Sequence, residues 1–188
     1  MIDECQMRRE MTFDNWEAWS NERWKREINE SVKEYGKSKW REGINQKSSL
    51  DWYALKECPK TEPCYDGSLG SELLFKARTK SLELNSGTYR WENNGEKTCR
   101  KCDTGVDETV EHVLLECVKY ERDREHMLNV VKEAVGPDRW AEISPPAGDP
   151  IHLVLFLLGL SEVEQWSSAT MEGVKHFLEK MWLTRKDH

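Results

Sequence analysis

The stretch Cys99–Glu125, CRKCDTGVDETVEHVLLECVKYERDRE, carries Cys99, Cys102, His112 and Cys117 in the spacing C-x2-C-x9-H-x4-C. Zinc favours thiolate and imidazole ligands in a tetrahedron, and two cysteines separated by two residues can turn both sulfurs onto one ion. Arg100 and Lys101 are then the tight turn of a knuckle. His112 falls on a predicted helix beginning near Asp107, and Cys117 lies one to two turns further, so that helix must bend or end there. Four protein ligands leave no open position for water, which predicts a structural rather than a catalytic zinc. Two other readings compete. A redox Cys-x-x-Cys normally opens a helix after a strand in a βαβ setting, and nothing here supplies one. Buried unreactive thiols are the third. If zinc is bound, its apparent contribution of about 10–16 kcal/mol matches the roughly 5–15 kcal/mol stability of a whole domain. Residues 95–120 are therefore expected to melt without it.

The chain around this segment is polar: 188 residues with 34% charged and 37% hydrophobic side chains. Nine Trp supply core material, which argues against full disorder. The formal net charge is −7, and the acidic excess lies wholly beyond residue 50. A general basic coat for DNA is excluded, because phosphate affinity comes from Lys and Arg displacing counterions. Any nucleic-acid contact must use a local patch. The most apolar run, Ile151–Leu160, has ten residues where a membrane span needs about 20, so it reads as a buried strand or helix and no membrane partner is expected. The first ten residues, MIDECQMRRE, are charged and lack an apolar stretch, so an intracellular location, nuclear or cytoplasmic, is expected.

Hydrophobic spacing predicts a mostly α protein: a helical domain organised around the CCHC zinc knuckle, with a long amphipathic N-terminal helix. Phe13, Trp16, Trp24, Ile28, Val32 and Tyr35 place that helix over 12–42, with Thr12 as N-cap and Gly36 or Gly43 as interruption or stop. Segments follow at 1–47 (this helix), 48–95 (a linker with a short helix near Trp52, then a helix over 71–84), 96–136 (the zinc segment with its helix) and 137–188 (the apolar run and a last helix). Asn85-Ser86-Gly87 ends the second helix, and Thr88–Trp91 reads as a short strand. Gly136-Pro137 stops the zinc-segment helix. Ser161-Glu162-Val163-Glu164 fits a capping box opening a final helix that buries Val163, Trp166, Thr170, Val174, Phe177, Met181 and Trp182.

At the zinc segment the sequence resembles the C-terminal tail of reverse transcriptases from non-LTR (LINE-type) retrotransposons. There Cys-x2-Cys is followed by Glu-Thr, Glu-His, an apolar pair and Cys, with Tyr and Arg downstream. Here these are Cys99, Cys102, Glu108-Thr109, Glu111-His112, Leu114-Leu115, Cys117, Tyr120 and Arg124. The flanks KSSLDWY, YDGSLGSELLFKARTKSLEL and GLSEVEQWSSATMEGVKHFLEKMW also look similar, extending the resemblance over about residues 20–185. The resemblance implies the tail of such an enzyme as a stand-alone fragment, domesticated or relic. It also implies a role in positioning RNA or DNA. Polymerase chemistry in that family needs paired aspartates, and no Asp-Asp occurs in this sequence, so no enzyme activity is expected. Pro137-Asp138 followed by Asp149 echoes the nuclease of some relatives, but after Gly136 it reads as a helix stop.

Two basic clusters are candidate nucleic-acid contacts: Lys97, Arg100 and Lys101 on the knuckle, and Lys37, Lys39 and Arg41 around Trp40, which mixes charge with a stacking surface. Three thiolates around one Zn²⁺ leave a net −1 that the knuckle cations would offset. A solvated charged face is the plainer explanation of both. The function expected is a noncatalytic zinc-binding module that holds RNA or DNA through these patches. The alternative is a protein-interaction or structural subunit whose Trp-rich helices supply the contact surface. Cys58 and Cys64, flanking a Pro-bounded hexapeptide, read as solvent-near spectators, and His126, His152 and His176 as packing or surface residues.

Overall fold

A computed structural model describes residues 19–56, 62–88, 96–145, 148–161 and 166–186. The chain is mostly helical, with no strand among the described residues. Helix α1 spans Asn21–Asn45 and a 3-10 helix covers Ser48–Leu55. Next come α2 (Leu69–Arg78), the single turn α3 (Asn85–Thr88), α4 (Glu121–Val135), α5 (Pro137–Ile143), α6 (Pro150–Leu157) and α7 (Ser168–Lys186).

Several boundaries differ from the sequence expectation for identifiable reasons. Ser20 caps α1 by accepting the Arg23 N–H, and the helix runs through both Gly36 and Gly43 to Asn45. A helix-interior glycine lowers stability without stopping the turn when nothing else satisfies the backbone. The expected cap Thr12, and Phe13 and Trp16 of the apolar stripe, lie outside the described residues. α2 ends at Arg78 rather than Leu84, because Lys80 takes a left-handed φ of 51° and turns the chain back. Asn85-Ser86-Gly87 forms a helical turn instead of a helix end, and Thr88 belongs to it; the rest of the expected strand lies outside the described residues. The last helix starts at Ser168, with Ser167 Oγ accepting the Thr170 N–H, so Ser167 caps it and Trp166 precedes it, while Glu162, Val163 and Glu164 of the expected capping box lie outside the described residues. Of the apolar run Ile151–Leu160, the part through Leu157 is helix, opened by Asp149 capping the Ile151 N–H and Pro150 at the first position, and Gly159 (φ 63°) turns the chain after it. Gly136 (φ 81°) and Pro137 do end α4, and Asp138 merely sits in the first turn of α5.

α7 is the central element, packing against α4 on one side and α2 on the other. One continuous core runs through Trp52, Leu74, Leu114, Tyr120, Met127, Leu158, Phe177 and Met181, and Cys99, Cys102 and Cys117 belong to it. α2 and α7 approach closely at Gly70, where a Cβ would sit 2.8 Å from Lys175 Cβ. Its N–H donates to Glu179 of α7 at 2.8 Å. Arg78, fully buried, joins α2 to two further segments: Nε donates to the Leu158 carbonyl at 2.6 Å and Nη1 to Glu62 at 2.5 Å. Its guanidinium also lies over the rings of Tyr65 and Trp166. Cys64 is fully buried, correcting the solvent-near expectation; it belongs to the same core as Trp52 and Leu74, with Sγ 3.7 Å from Glu62, and Cys58 lies outside the described residues. His126, His152 and His176 are exposed surface residues. α1 differs from the rest: its packing falls on the 3-10 helix, and Ile44 is its one buried residue.

Candidate metal centre

Cys99 and Cys102 sit on a tight hairpin. Thr98 and Asp107 form an antiparallel bridge, with the Cys99 N–H donating to the Val106 carbonyl at 2.8 Å and Glu108 N–H to Lys97 at 2.7 Å. Gly105, at φ 72°, supplies the left-handed residue that closes it. The other two ligands need a different device. Residues five apart on an α-helix point roughly 140° away from each other, so His112 and Cys117 cannot share an ion there. The chain instead forms a π turn over His112–Glu116, sealed by the Cys117 N–H on the His112 carbonyl at 2.7 Å. The wider circuit brings both side chains to one side. Cys117 then leaves helical geometry (φ −57°, ψ 117°), and the buried Arg124 holds its carbonyl at 2.8 Å. Tyr120 and Arg124, the downstream residues of the motif, are thus core and support, not surface.

The four donor atoms lie within 4.8 Å of one another. Cys99 and Cys117 Sγ are 3.9 Å apart, and Cys102 Sγ is 3.4 Å from His112 Nε2. A zinc tetrahedron with ordinary bond lengths needs about 3.8 Å between sulfurs and about 3.6 Å between sulfur and nitrogen. The residues therefore fit the ion, and would hold it through three sulfurs and Nε2.

The surroundings suit bound thiolates. Backbone N–H groups of Lys101, Thr104 and Lys119 donate to the sulfurs of Cys99, Cys102 and Cys117, each two residues on. Burial pushes the Cys99 thiol up and the Cys117 thiol up to about 12. Burial opposes ionisation of Cys102 too, but hydrogen bonds from the Thr104 hydroxyl and backbone and from Cys99 and His112 bring it down to about 6. A divalent cation is what makes three buried thiolates favourable together. His112 Nδ1 meets Glu116 Oε2 at 3.2 Å, which leaves Nε2 for the metal.

The roles of two outer carboxylates are not marked in the sequence. Glu116 stands out by no spacing, and Glu108 enters the motif without an assigned role. Glu108 is completely buried, with Oε1 4.0 Å from Cys99 Sγ and accepting Arg185 Nη1 at 2.5 Å, while Oε2 accepts the Asn85 N–H at 2.9 Å. Its partner stands 77 residues away, beyond any local pattern.

The basic candidates separate into two places. Lys97, Arg100 and Lys101 are on the metal hairpin, and Lys101 Nζ donates to the Arg185 carbonyl at 3.1 Å. Lys37 and Arg41 share one face of α1, with Lys39 roughly 160° from both. Lys39 pairs with Glu42 at 3.1 Å and lies over Tyr35, while Trp40 faces the groove beside Ile44. Trp52 and Trp182 are buried in the core rather than offered to a partner, whereas Trp24 is exposed. Among the described residues, no helix is long and apolar enough to cross a membrane. No family model, no curated protein and no solved structure matches this chain.

Proposed function

We propose that this protein is a noncatalytic module built on a structural zinc ion, descended from a non-LTR reverse transcriptase tail, that binds RNA or DNA through local basic patches. The observation that carries it is the agreement of four donor atoms with a zinc tetrahedron, beside a hairpin bearing Arg100 and Lys101. Four protein ligands complete the coordination, so the ion orders the chain and activates no water. The likeness of the Cys99–Glu125 segment to retrotransposon tails supplies the nucleic-acid part, and the hairpin cations supply a means. The test is fluorescence anisotropy of labelled single-stranded RNA titrated with zinc-loaded protein at two salt concentrations. Micromolar or tighter binding that weakens with salt supports the reading; absence of binding at both overturns it.

A second reading rests on α1. Trp24 and Val32 are 37% and 41% exposed, and a groove of about 510 Å³ at the end of this helix is lined by Trp40, Ile44, Tyr53, Tyr65 and Phe75. Apolar surface of this kind suits a protein partner. Co-purification that survives nuclease but is lost on Trp24→Glu favours this role over the first.

A further inference from the structure

The hairpin of the metal centre does not end at its ligands: it forms one wall of a cleft of about 600 Å³, and the C-terminal end of α7 forms the other. Arg100, Lys101 and Lys119 line the first wall, Arg185 and Lys186 the second. Glu83 is the only acid among the described residues lining it, an exposed carboxylate 3.9 Å from Lys76, which pairs more closely with Glu72 at 2.8 Å. In a chain of net charge −7, the five cations outnumber Glu83 and the buried Glu108 that pairs with Arg185, so the concavity keeps a local positive excess.

The five have different tasks. Arg185 is committed to scaffolding: Nη1 pairs with the buried Glu108 and Nη2 donates to the Glu83 carbonyl at 3.1 Å. Lys101 ties the hairpin to the last turn of α7 through the Arg185 carbonyl. Arg100 and Lys119 are exposed and have no ionic partner among the described residues, and Lys186 reaches over Trp182 at 5.2 Å. A helix C-terminus attracts Lys and Arg by its own dipole, which accounts for Arg185 and Lys186. It does not account for Arg100 and Lys119, which come from the hairpin and from the turn after Cys117. Trp182 is only 7% exposed, so the cleft offers no platform on which a base would stack.

We infer that this cleft is a phosphodiester site for one strand of nucleic acid, in which Arg100, Lys119 and Lys186 contact backbone phosphates and Lys101 and Arg185 hold the walls together. The inference rests on the nucleic-acid reading above and assigns the strand to the cleft, not to Lys37, Lys39 and Arg41 on α1. An acidic peptide is the less suitable occupant, because the cleft is lined mainly by charged side chains and its one large apolar side chain, Trp182, is buried. With no stacking and no base edge addressed, binding is independent of sequence. Because Arg100 and Lys101 lie between two ligands and Lys119 two residues after a third, the wall exists only while the metal orders the hairpin.

The test uses the full zinc-loaded chain and fluorescein-labelled dT20 and rU20, followed by anisotropy between 50 and 200 mM salt on the scale of usual practice. Compared are wild type, Arg100→Glu with Lys119→Glu, Lys119→Gln with Lys186→Gln, and Lys37→Ala with Lys39→Ala and Arg41→Ala. Zinc content and far-UV circular dichroism establish that each variant is folded; the milder glutamine pair serves if charge reversal disturbs the hairpin. The expected result is a loss of roughly tenfold or more for the reversal pair, roughly threefold or more for the glutamine pair, and less than roughly twofold for the α1 triple. The glutamine pair also flattens the salt slope by about 1.4, the value for two single-strand contacts. Binding that survives both cleft pairs but fails in the α1 triple overturns the cleft and leaves the nucleic-acid reading intact. No binding by wild type overturns both. Displacement of dT20 by poly-Glu at equal charge, with equal affinity, overturns the phosphate assignment.

Discussion

Glu116 Oε2 lies 3.2 Å from His112 Nδ1, one π turn along the chain, while Nε2 of the same ring faces Cys102 Sγ at 3.4 Å. The carboxylate thereby sets both the tautomer and the plane of the imidazole. Outer-shell partners of this type change metal affinity by about 10–100-fold, and the exposure of Glu116 places it at the lower end. Glu116→Gln is expected to weaken zinc about tenfold in competition with a chromophoric chelator, and Cys117→Ser far more. Equal affinity of the Glu116 variant and wild type would show that the contact has no role.

Removing the metal should disorder residues 96–120 and reach further, because Glu108 and Lys101 tie that segment to Arg185 at the end of α7. Hydrogen exchange after complete chelation should show lost protection in the hairpin, the π turn and the last turn of α7. The α2–α7 contact around Gly70 should hold longer. Unchanged helicity and protection in the zinc-free protein would refute this.

Arg78 is buried against Glu62, Tyr65 and the Leu158 carbonyl, so its removal takes the donor from that carbonyl while Glu62 keeps Lys56 at 2.6 Å. Arg78→Met should cost about 1–3 kcal/mol in urea unfolding, the range for a buried polar group left without its partner. Two of the surrounding polar atoms, Arg78 Nη2 and Trp166 Nε1, have no hydrogen-bond partner among the described residues.

The same pair sets an acid limb. Burial pushes the Glu62 carboxyl up, but Lys56 and Arg78 outweigh it and hold it below its ordinary value of 4.5. A depressed carboxyl stabilises the fold above its unfolded pKa, and that contribution fades as the pH drops below about 4.5 through the folded value. The stability gap between wild type and Glu62→Gln should therefore be largest near pH 6 and shrink by pH 3. A gap independent of pH would contradict the pairing.

Two glycines separate a packing role from a tolerated one. Gly70→Ala drives a Cβ to 2.8 Å from Lys175 Cβ and 3.0 Å from its carbonyl, with an expected cost of about 1–3 kcal/mol. Gly43→Ala meets nothing within 4 Å inside α1 and should stabilise by about 0.5–1 kcal/mol. At about 2–4 °C per kcal/mol for a chain of this size, thermal melting resolves both.

What local spacing determines here is considerable. Cys99, Cys102, His112 and Cys117 were legible because ligand intervals are a property of consecutive backbone, and the requirement that the helix yield at Cys117 followed from the same geometry. The α4 stop at Gly136-Pro137 and the apolar face of α7 follow likewise from φ preferences and the 3.6-residue period. Helix ends were less legible, since a serine ahead of an apolar run marks a cap only locally, and the observed cap of α7 is Ser167. Only the tertiary structure decided that Glu108 is a buried partner of Arg185, that Cys64 is core, and that Lys119 and Lys186 join Arg100 around one cleft. Such pairings depend on which distant surfaces meet, and a charge that looks solvated in a linear pattern carries no mark of the neighbour it acquires when the chain closes.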